Sequence, residues 1–248
     1  MDIQSWSIFI VAGLMVGFSK SAVPGLGILV VPVLVIIFPP KEAVGVLAPM
    51  LLTGDFFSVV WYRHHANWPR LLGLIPGLIA GITVGGFVLW WLNNATLLPL
   101  LGWLILLLLG LHLAGQQISR HFISNQKSVV LMMGGLAGFA TTVGNVAGPI
   151  MSIYLLAMGF SKEKFIGTGA WYYLIINGIK IPLYIGLGMI TWHSLRFNAL
   201  IVPAIALGAF LGKWTLPHIQ PKLFDAAVIA LTALGALRMI LIALVPES

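Results

Sequence analysis

The sequence predicts an all-α polytopic membrane protein built from two homologous halves. Three observations carry that prediction. Apolar residues make up 60% of the 248-residue chain and charged residues only 8%, where soluble domains average about 25% charged. Several apolar stretches are long enough to cross a bilayer, and mean hydropathy is +1.05. The second half also repeats the first half's pattern of glycine and proline interruptions. This composition excludes an ordinary soluble globule and a disordered chain. The formal charge of +7 does not indicate nucleic acid, because the 13 basic residues are scattered among apolar runs and make no basic face. With no cysteine in the chain, disulfides, thiolate chemistry and Cys-based metal sites are excluded. The N-terminus, Met1-Asp2-Ile3-Gln4, has no positive region before its apolar stretch, so no cleavable signal is expected.

A spanning helix needs about 20 apolar residues. Segments near 42–62, 69–92, 97–115, 163–187, 192–217 and 221–245 meet that need. Turn and interface signals bound them, among them Pro39-Pro40, Asn93-Asn94, Gln116-Gln117, Gly159 and Pro221. Trp6, Trp61, Trp68, Trp90, Trp91, Trp192 and Trp214 lie near segment ends, as interfacial aromatic belts do.

Two further stretches, about 5–38 and 128–158, are too long for one span and are interrupted near the middle. The first interruption runs Gly17-Phe18-Ser19-Lys20-Ser21-Ala22-Val23-Pro24-Gly25 and the second runs from Gly138 to Pro149. Non-helical backbone at membrane depth is tolerated only where protein buries it or water reaches it. The interruptions match: Gly17-Phe18 with Gly138-Phe139, Gly27 with Gly148, Lys41-Glu42 with Lys162-Glu163. The match continues through Gly45 and Gly167, Asp55 and Asn177, and Tyr62 and Tyr184. It ends with Pro76, Gly81 and Gly85 against Pro203, Gly208 and Gly212. The expected organisation is an N-terminal transmembrane repeat over 1–115, a polar cytoplasmic linker over 116–127 and a C-terminal repeat over 128–248.

Charge discriminates two topologies. If both broken segments cross, eight spans form parallel repeats. Arg63, Arg70, Arg120, Lys127 and Arg196 then oppose Lys41, Lys162, Lys164, Lys213 and Lys222, with no bias. If both return as broken helical hairpins, each half has three full spans and the repeats are inverted. Arg63, Arg70, Arg120, Lys127, Lys162, Lys164, Lys213 and Lys222 then oppose only Lys41 and Arg196. Because basic loops stay cytoplasmic, this second distribution favours inverted repeats with both termini outside.

The chain resembles the TauE/SafE family of membrane transporters, the sulfite exporters, over nearly its whole length. The resemblance rests on Gly138-Phe139-Ala140-Thr141-Thr142-Val143-Gly144-Asn145-Val146-Ala147-Gly148-Pro149 and Gly167-Thr168-Gly169-Ala170-Trp171. In the first half it rests on Val31-Pro32-Val33-Leu34, Pro40-Lys41-Glu42-Ala43 and Pro76-Gly77 with Gly81 and Gly85. It implies export of sulfite, sulfoacetate or other organosulfonates across the bacterial inner membrane by a multi-pass protein.

The residues themselves suggest where an anion would bind. Lys20 lies in the first interruption, and a charge at that depth must face the bundle interior or water. Helices starting near Gly25 and near Gly148 would aim their N-terminal N–H groups at the same spot, as anion sites do. Ser19, Ser21, Thr141, Thr142 and Asn145 add donors; their other role would be to satisfy the broken backbone. Tyr173, Asn177 and Lys180 share one helix face at i, i+4 and i+7. Asp55, the only carboxylate deep in a span, would couple or gate transport, or would pair with Lys20 or Lys180 to join the halves. Arg238 would either snorkel to the interface or hold substrate with its guanidinium. Trp171 and Trp103 are packing or gate residues, and Asp225 partners a helix N-terminus. Gly81-x-x-x-Gly85 and Gly208-x-x-x-Gly212 are helix-packing motifs.

These features point to a secondary carrier for a small anion, working by alternating access around a midplane site. A passive anion channel is the alternative. An enzyme is not expected, since no convergent set of acidic, His or Cys residues shares one depth, and no nucleotide-binding loop is present to drive ATP-coupled transport. Neither metal nor cofactor is expected. The expected partners are a small anionic substrate and membrane lipid, not nucleic acid. Monomer and homodimer both remain open.

Overall fold

The computed structural model describes residues 2–21, 27–115, 127–215 and 221–244. Ten α-helices run through them in chain order: α1 (Ile3–Ser21), α2 (Gly27–Leu34), α3 (Pro40–Tyr62), α4 (Trp68–Trp91), α5 (Asn94–Gly115), α6 (Lys127–Gly144), α7 (Gly148–Ala157), α8 (Lys162–Gly186), α9 (Trp192–Thr215) and α10 (Pro221–Leu244). One 3-10 turn, Arg63–His65, follows α3. Among the described residues six helices, α1, α3, α4, α5, α6 and α9, are long and apolar enough to cross a membrane. The molecule is an all-α polytopic membrane protein. Its outer surface carries large exposed hydrophobics such as Phe87, Trp91, Phe210 and Leu241, as a lipid-facing surface must. Gly25, the linker over 116–126 and the side chains of His112 and Asp225 lie outside the described residues.

Both interruptions are shorter than the sequence suggests. Helix α1 continues through Gly17 to Ser21, and α6 continues through Gly138 to Gly144, leaving only Asn145–Ala147 between α6 and α7. Serine and threonine do not break these helices, because their hydroxyls bond back to helical carbonyls. Ser19 Oγ donates to Val16 O at 2.9 Å, Ser21 Oγ to Gly17 O at 3.2 Å and Thr142 Oγ1 to Gly138 O at 2.8 Å. Helix α6 ends at Gly144, just before Asn145, whose φ of 56° lies in the left-handed region. Asparagine tolerates that conformation better than any residue but glycine.

Each short helix doubles back along the long one before it. The Phe38 ring, just past α2, packs edge-on against Phe9 of α1 with centroids 5.8 Å apart. In the second half, the Tyr154 hydroxyl of α7 donates to Arg70 O at the start of α4, the end that faces Val130 near the start of α6.

The helices pack in matched sets: α1 on α9 and α4 on α6, then α2 on α10 and α7 on α5, then α3 on α8 and α5 on α10. At the tightest points of the two closest seams, backbone rests on backbone. A Cβ at Gly17 would collide with Ile205 O and Ala209 N of α9. A Cβ at Gly138 would collide with Leu78 O of α4 and come within 3.1 Å of Ile82 N. Leu78 and Ile82 stand 127 residues before Ile205 and Ala209, the same spacing that separates Pro76, Gly81 and Gly85 from Pro203, Gly208 and Gly212. Within each seam the partners run in the same direction. Helices α3 and α8 run in opposite directions: Gly45 lies on Met189, Asp55 touches Asn177, and Gly167 lies on Tyr62–His65.

Candidate functional site

The ends of α1 and α6 and the starts of α2 and α7 converge on α3 and α8 around one cavity of about 890 Å³, including the space at its mouth. Ser19, Lys20, Ser21, Gly27, Thr141, Asn145 and Gly148 line it from the two hairpins. Asp55 and Ser58 line it from α3, and Tyr173 and Asn177 from α8. The rest of the wall is largely apolar and includes Ile28, Leu51, Leu155, Phe165 and Ile166. A mostly apolar pocket with a few convergent polar groups is the usual form of a small-molecule site.

At its centre Lys20 Nζ lies 2.6 Å from Asp55 Oδ1, with the aspartate fully buried. The ammonium also sits 4.2 Å from the centre of the Tyr173 ring, a favourable cation–π distance. Asn177 Nδ2 donates to the other Asp55 oxygen. Burying a carboxylate is costly unless it is paired and hydrogen-bonded, and these contacts from α1 and α8 supply both requirements. Asn177 Oδ1 is buried with no hydrogen-bond partner.

Lys180 stands behind the wall and is fully buried. Its ammonium donates to Thr141 O at 3.0 Å, Thr141 Oγ1 at 2.8 Å and Asn145 Oδ1 at 2.6 Å. It thus caps the C-terminal end of α6, where a positive charge complements the helix dipole. Asn145 Nδ2 donates in turn to Val44 O of α3 at 2.9 Å. In the first half Ser58, which matches Lys180 at the 122-residue spacing of Asp55 and Asn177, caps α1 by donating to Lys20 O at 2.7 Å.

Comparison with known proteins bears on what this cavity serves. A family model described as sulfite exporter TauE/SafE matches residues 9–239, so every described residue of the cavity lies inside the match. The chain belongs to the TauE/SafE family. No curated protein and no solved structure matches it. Membership of the TauE/SafE family makes this chain a membrane transporter, and the cavity is where its helices bring charge and hydrogen-bonding groups into the interior.

Of the residues singled out from sequence, the fold gathers Lys20, Ser19, Ser21, Asp55, Thr141, Asn145, Gly148, Tyr173 and Asn177 on the cavity wall. Lys180 and Thr142 are one layer back. Thr142 is fully buried, with its carbonyl accepting from Tyr184 Oη at 2.6 Å. Arg238 is exposed on α10, away from the cavity. Trp171 lies beyond the cavity at the end of α3, donating to Arg63 O at 3.3 Å and packing 5.0 Å from Trp68. Trp103 is 62% exposed on the outer face of α5, so it neither packs in the core nor gates the cavity. Ser58, Ser152 and Tyr184 went unassigned from sequence. The first and last were legible, since Ser58 matches Lys180 and Tyr184 follows Lys180 by one helical turn.

Proposed function

We propose that this TauE/SafE member is a secondary carrier that exports small sulfur-containing anions, such as sulfite, sulfoacetate or other organosulfonates, across the bacterial inner membrane. The observation that carries this reading is the meeting of the ends of α1 and α6 and the starts of α2 and α7 at one cavity holding Lys20, Asp55 and, one layer back, Lys180. Thr141, Asn145 and Tyr173 supply donors around it, the Ser19 and Ser21 hydroxyls line the same wall with their protons held by Val16 O and Gly17 O, and Asp55 is the coupling or gating group.

The two halves are read as inverted repeats, 1–115 and 128–248, joined by a polar cytoplasmic linker over 116–127. The opposite directions of α3 and α8, the doubling back of α2 and α7 and the eight-to-two division of basic loop residues support this. Alternating access follows if the repeats rock around the shared site. The exported anion enters from the cytoplasmic side, meets the ammonium groups and leaves when the cavity opens outward.

The test is binding and flux. Purified protein is screened by thermal shift against sulfite, sulfoacetate, other sulfonates, sulfate and carboxylates, since a ligand of the folded state raises apparent stability. Hits are then assayed for counterflow in liposomes. A sulfonate or sulfite that stabilises the protein and exchanges across the bilayer supports the carrier, and Lys20→Gln should weaken both signals. Channel-like conductance without counterflow would overturn alternating access. Unchanged affinity in Lys20→Gln would remove Lys20 from the site.

A further inference from the structure

We infer that the hydroxyls of Ser152 on α7 and Tyr173 on α8 hold the oxygens of the transported anion beside Lys20, which seats it off-centre against the second half of the chain; the inference rests on the anion-carrier reading above. Among the described residues six side chains bring a hydroxyl to the cavity wall: Ser19, Ser21, Ser58, Thr141, Ser152 and Tyr173. Four of these hydroxyls are engaged. Ser19 Oγ donates to Val16 O, Ser21 Oγ to Gly17 O and Ser58 Oγ to Lys20 O. Thr141 Oγ1 lies 2.8 Å from Lys180 Nζ. The Ser152 and Tyr173 hydroxyls have no hydrogen-bond partner among the described residues.

Ser152 departs from the pattern of its neighbours. Ser19, Ser21, Thr53 and Thr142 return their protons to carbonyls three or four residues back in their own helices. Ser152 does not. The rest of α7 is apolar except Tyr154, whose hydroxyl donates to Arg70 O at 3.3 Å. A hydroxyl left unpaired at membrane depth costs free energy unless water or a ligand takes it up.

The two hydroxyls come from the same level of the wall. The chain bends back between Ala157 and Lys162, and Leu155 Cδ1 stands 3.5 Å from where a Cβ on Gly169 would be. Ser152 lies three residues further from that bend on α7, and Tyr173 four residues further on α8, so each is one helical turn deeper. Lys20 joins them there, its ammonium 4.2 Å from the centre of the Tyr173 ring. One cation and two hydroxyl donors suit the several acceptor oxygens of a sulfite or sulfonate, and hydrogen bonds to such charged oxygens are the strong ones. The first half cannot repeat the arrangement. At the spacings of Gly27 with Gly148 and Asp55 with Asn177, its matching residues are Val31 and Leu51, which have no polar side-chain atom.

The experiment is titration calorimetry on the purified full chain with sulfite, sulfoacetate and ethanesulfonate. The anions that bind are then titrated into Ser152→Ala and into Tyr173→Phe, which keeps the ring beside Lys20. Each variant should bind about tenfold or more weakly. The melting temperature without ligand should stay where it is in Ser152→Ala, because no hydrogen bond within the protein is lost. Undiminished binding in either variant would overturn the inference and leave the carrier in place. A loss of binding matched by an equal loss of ligand-free stability would make the hydroxyls structural and overturn it as well. Binding of none of the three anions by the unaltered protein would sink the anion reading itself.

Discussion

Asp55 and Asn177 hydrogen-bond to each other at the centre of the molecule, and they stand 122 residues apart at matching places in the two halves. On helices running in opposite directions, a residue meets its own counterpart only where an approximate twofold axis passes between them. In the inverted-repeat reading that axis crosses the cavity, at a point where one half carries a carboxylate and the other an amide. The polar contacts around it are correspondingly unequal. Lys20 in the first half corresponds to Thr141, and Ser58 to Lys180, so each half places its lysine on a different helix.

Breaking the central pair should be costly. Asp55→Ala leaves the Lys20 ammonium, whose side chain is only 12% exposed, without its partner. A loss of about 3 kcal/mol or more is expected, read as a lowered melting temperature in detergent. Replacing both residues together, Lys20→Met with Asp55→Leu, should recover most of it, because an apolar pair costs less than an orphaned charge. A double variant no more stable than Asp55→Ala would show that the pair is not what holds α1 to α3.

Topology is directly testable because the chain has no cysteine. Single substitutions Lys41→Cys, His64→Cys and Thr191→Cys can each be probed with a membrane-impermeant maleimide on intact cells. Lys41→Cys and Thr191→Cys should react from outside and His64→Cys only after permeabilisation. Labelling of all three from one side would defeat the inverted arrangement.

The glycine seam between α1 and α9 should tolerate no added carbon. Gly17→Ala forces a methyl into the backbone of Ile205 and Ala209, a strain of about 1–3 kcal/mol. Gly110→Ala is the control. It sits in α5 with nothing within 4 Å of the added atom, and the better helix propensity of alanine should leave stability equal or raised by up to about 1 kcal/mol. Thermal unfolding of the two variants separates close packing from the general effect of substituting glycine in a helix.

Lys180→Gln removes the buried amine but keeps donors toward Thr141 and Asn145. Anion affinity is expected to fall about tenfold or more, with a smaller loss of melting temperature than Asp55→Ala causes. Loss of affinity only in proportion to unfolding would reduce Lys180 to a helix cap.

The membrane class and the positions of the two interruptions were legible because burial and backbone breakage leave direct marks in composition. The exact helix ends were not. Ser21 and Thr142 look like breakers, yet each hydroxyl satisfies a carbonyl of its own helix, and Gly17 and Gly138 mark close approach, not bending. The faces of α5 and α10 were equally hidden, since both are apolar nearly all round and give no periodic signal for which side meets lipid. That is why Trp103 reads as a packing or gate residue from sequence, and why Arg238 leaves both snorkelling and substrate binding open there, while both side chains lie exposed in the fold. Lys180 was legible as an intramembrane cation, but its place behind the wall depends on Thr141 and Asn145 intervening, which helix spacing alone does not reveal.

The glycine seams carry a mechanical consequence. Where backbone rests on backbone, as at Gly17 and Gly138, little flexible side chain lies between the helices to absorb sliding, so α1 and α9 are expected to move as one strut and α4 and α6 as another. Each strut takes one helix from either half of the sequence. On the inverted-repeat reading proposed above, rocking around the shared site would carry each hairpin together with a span from the opposite copy.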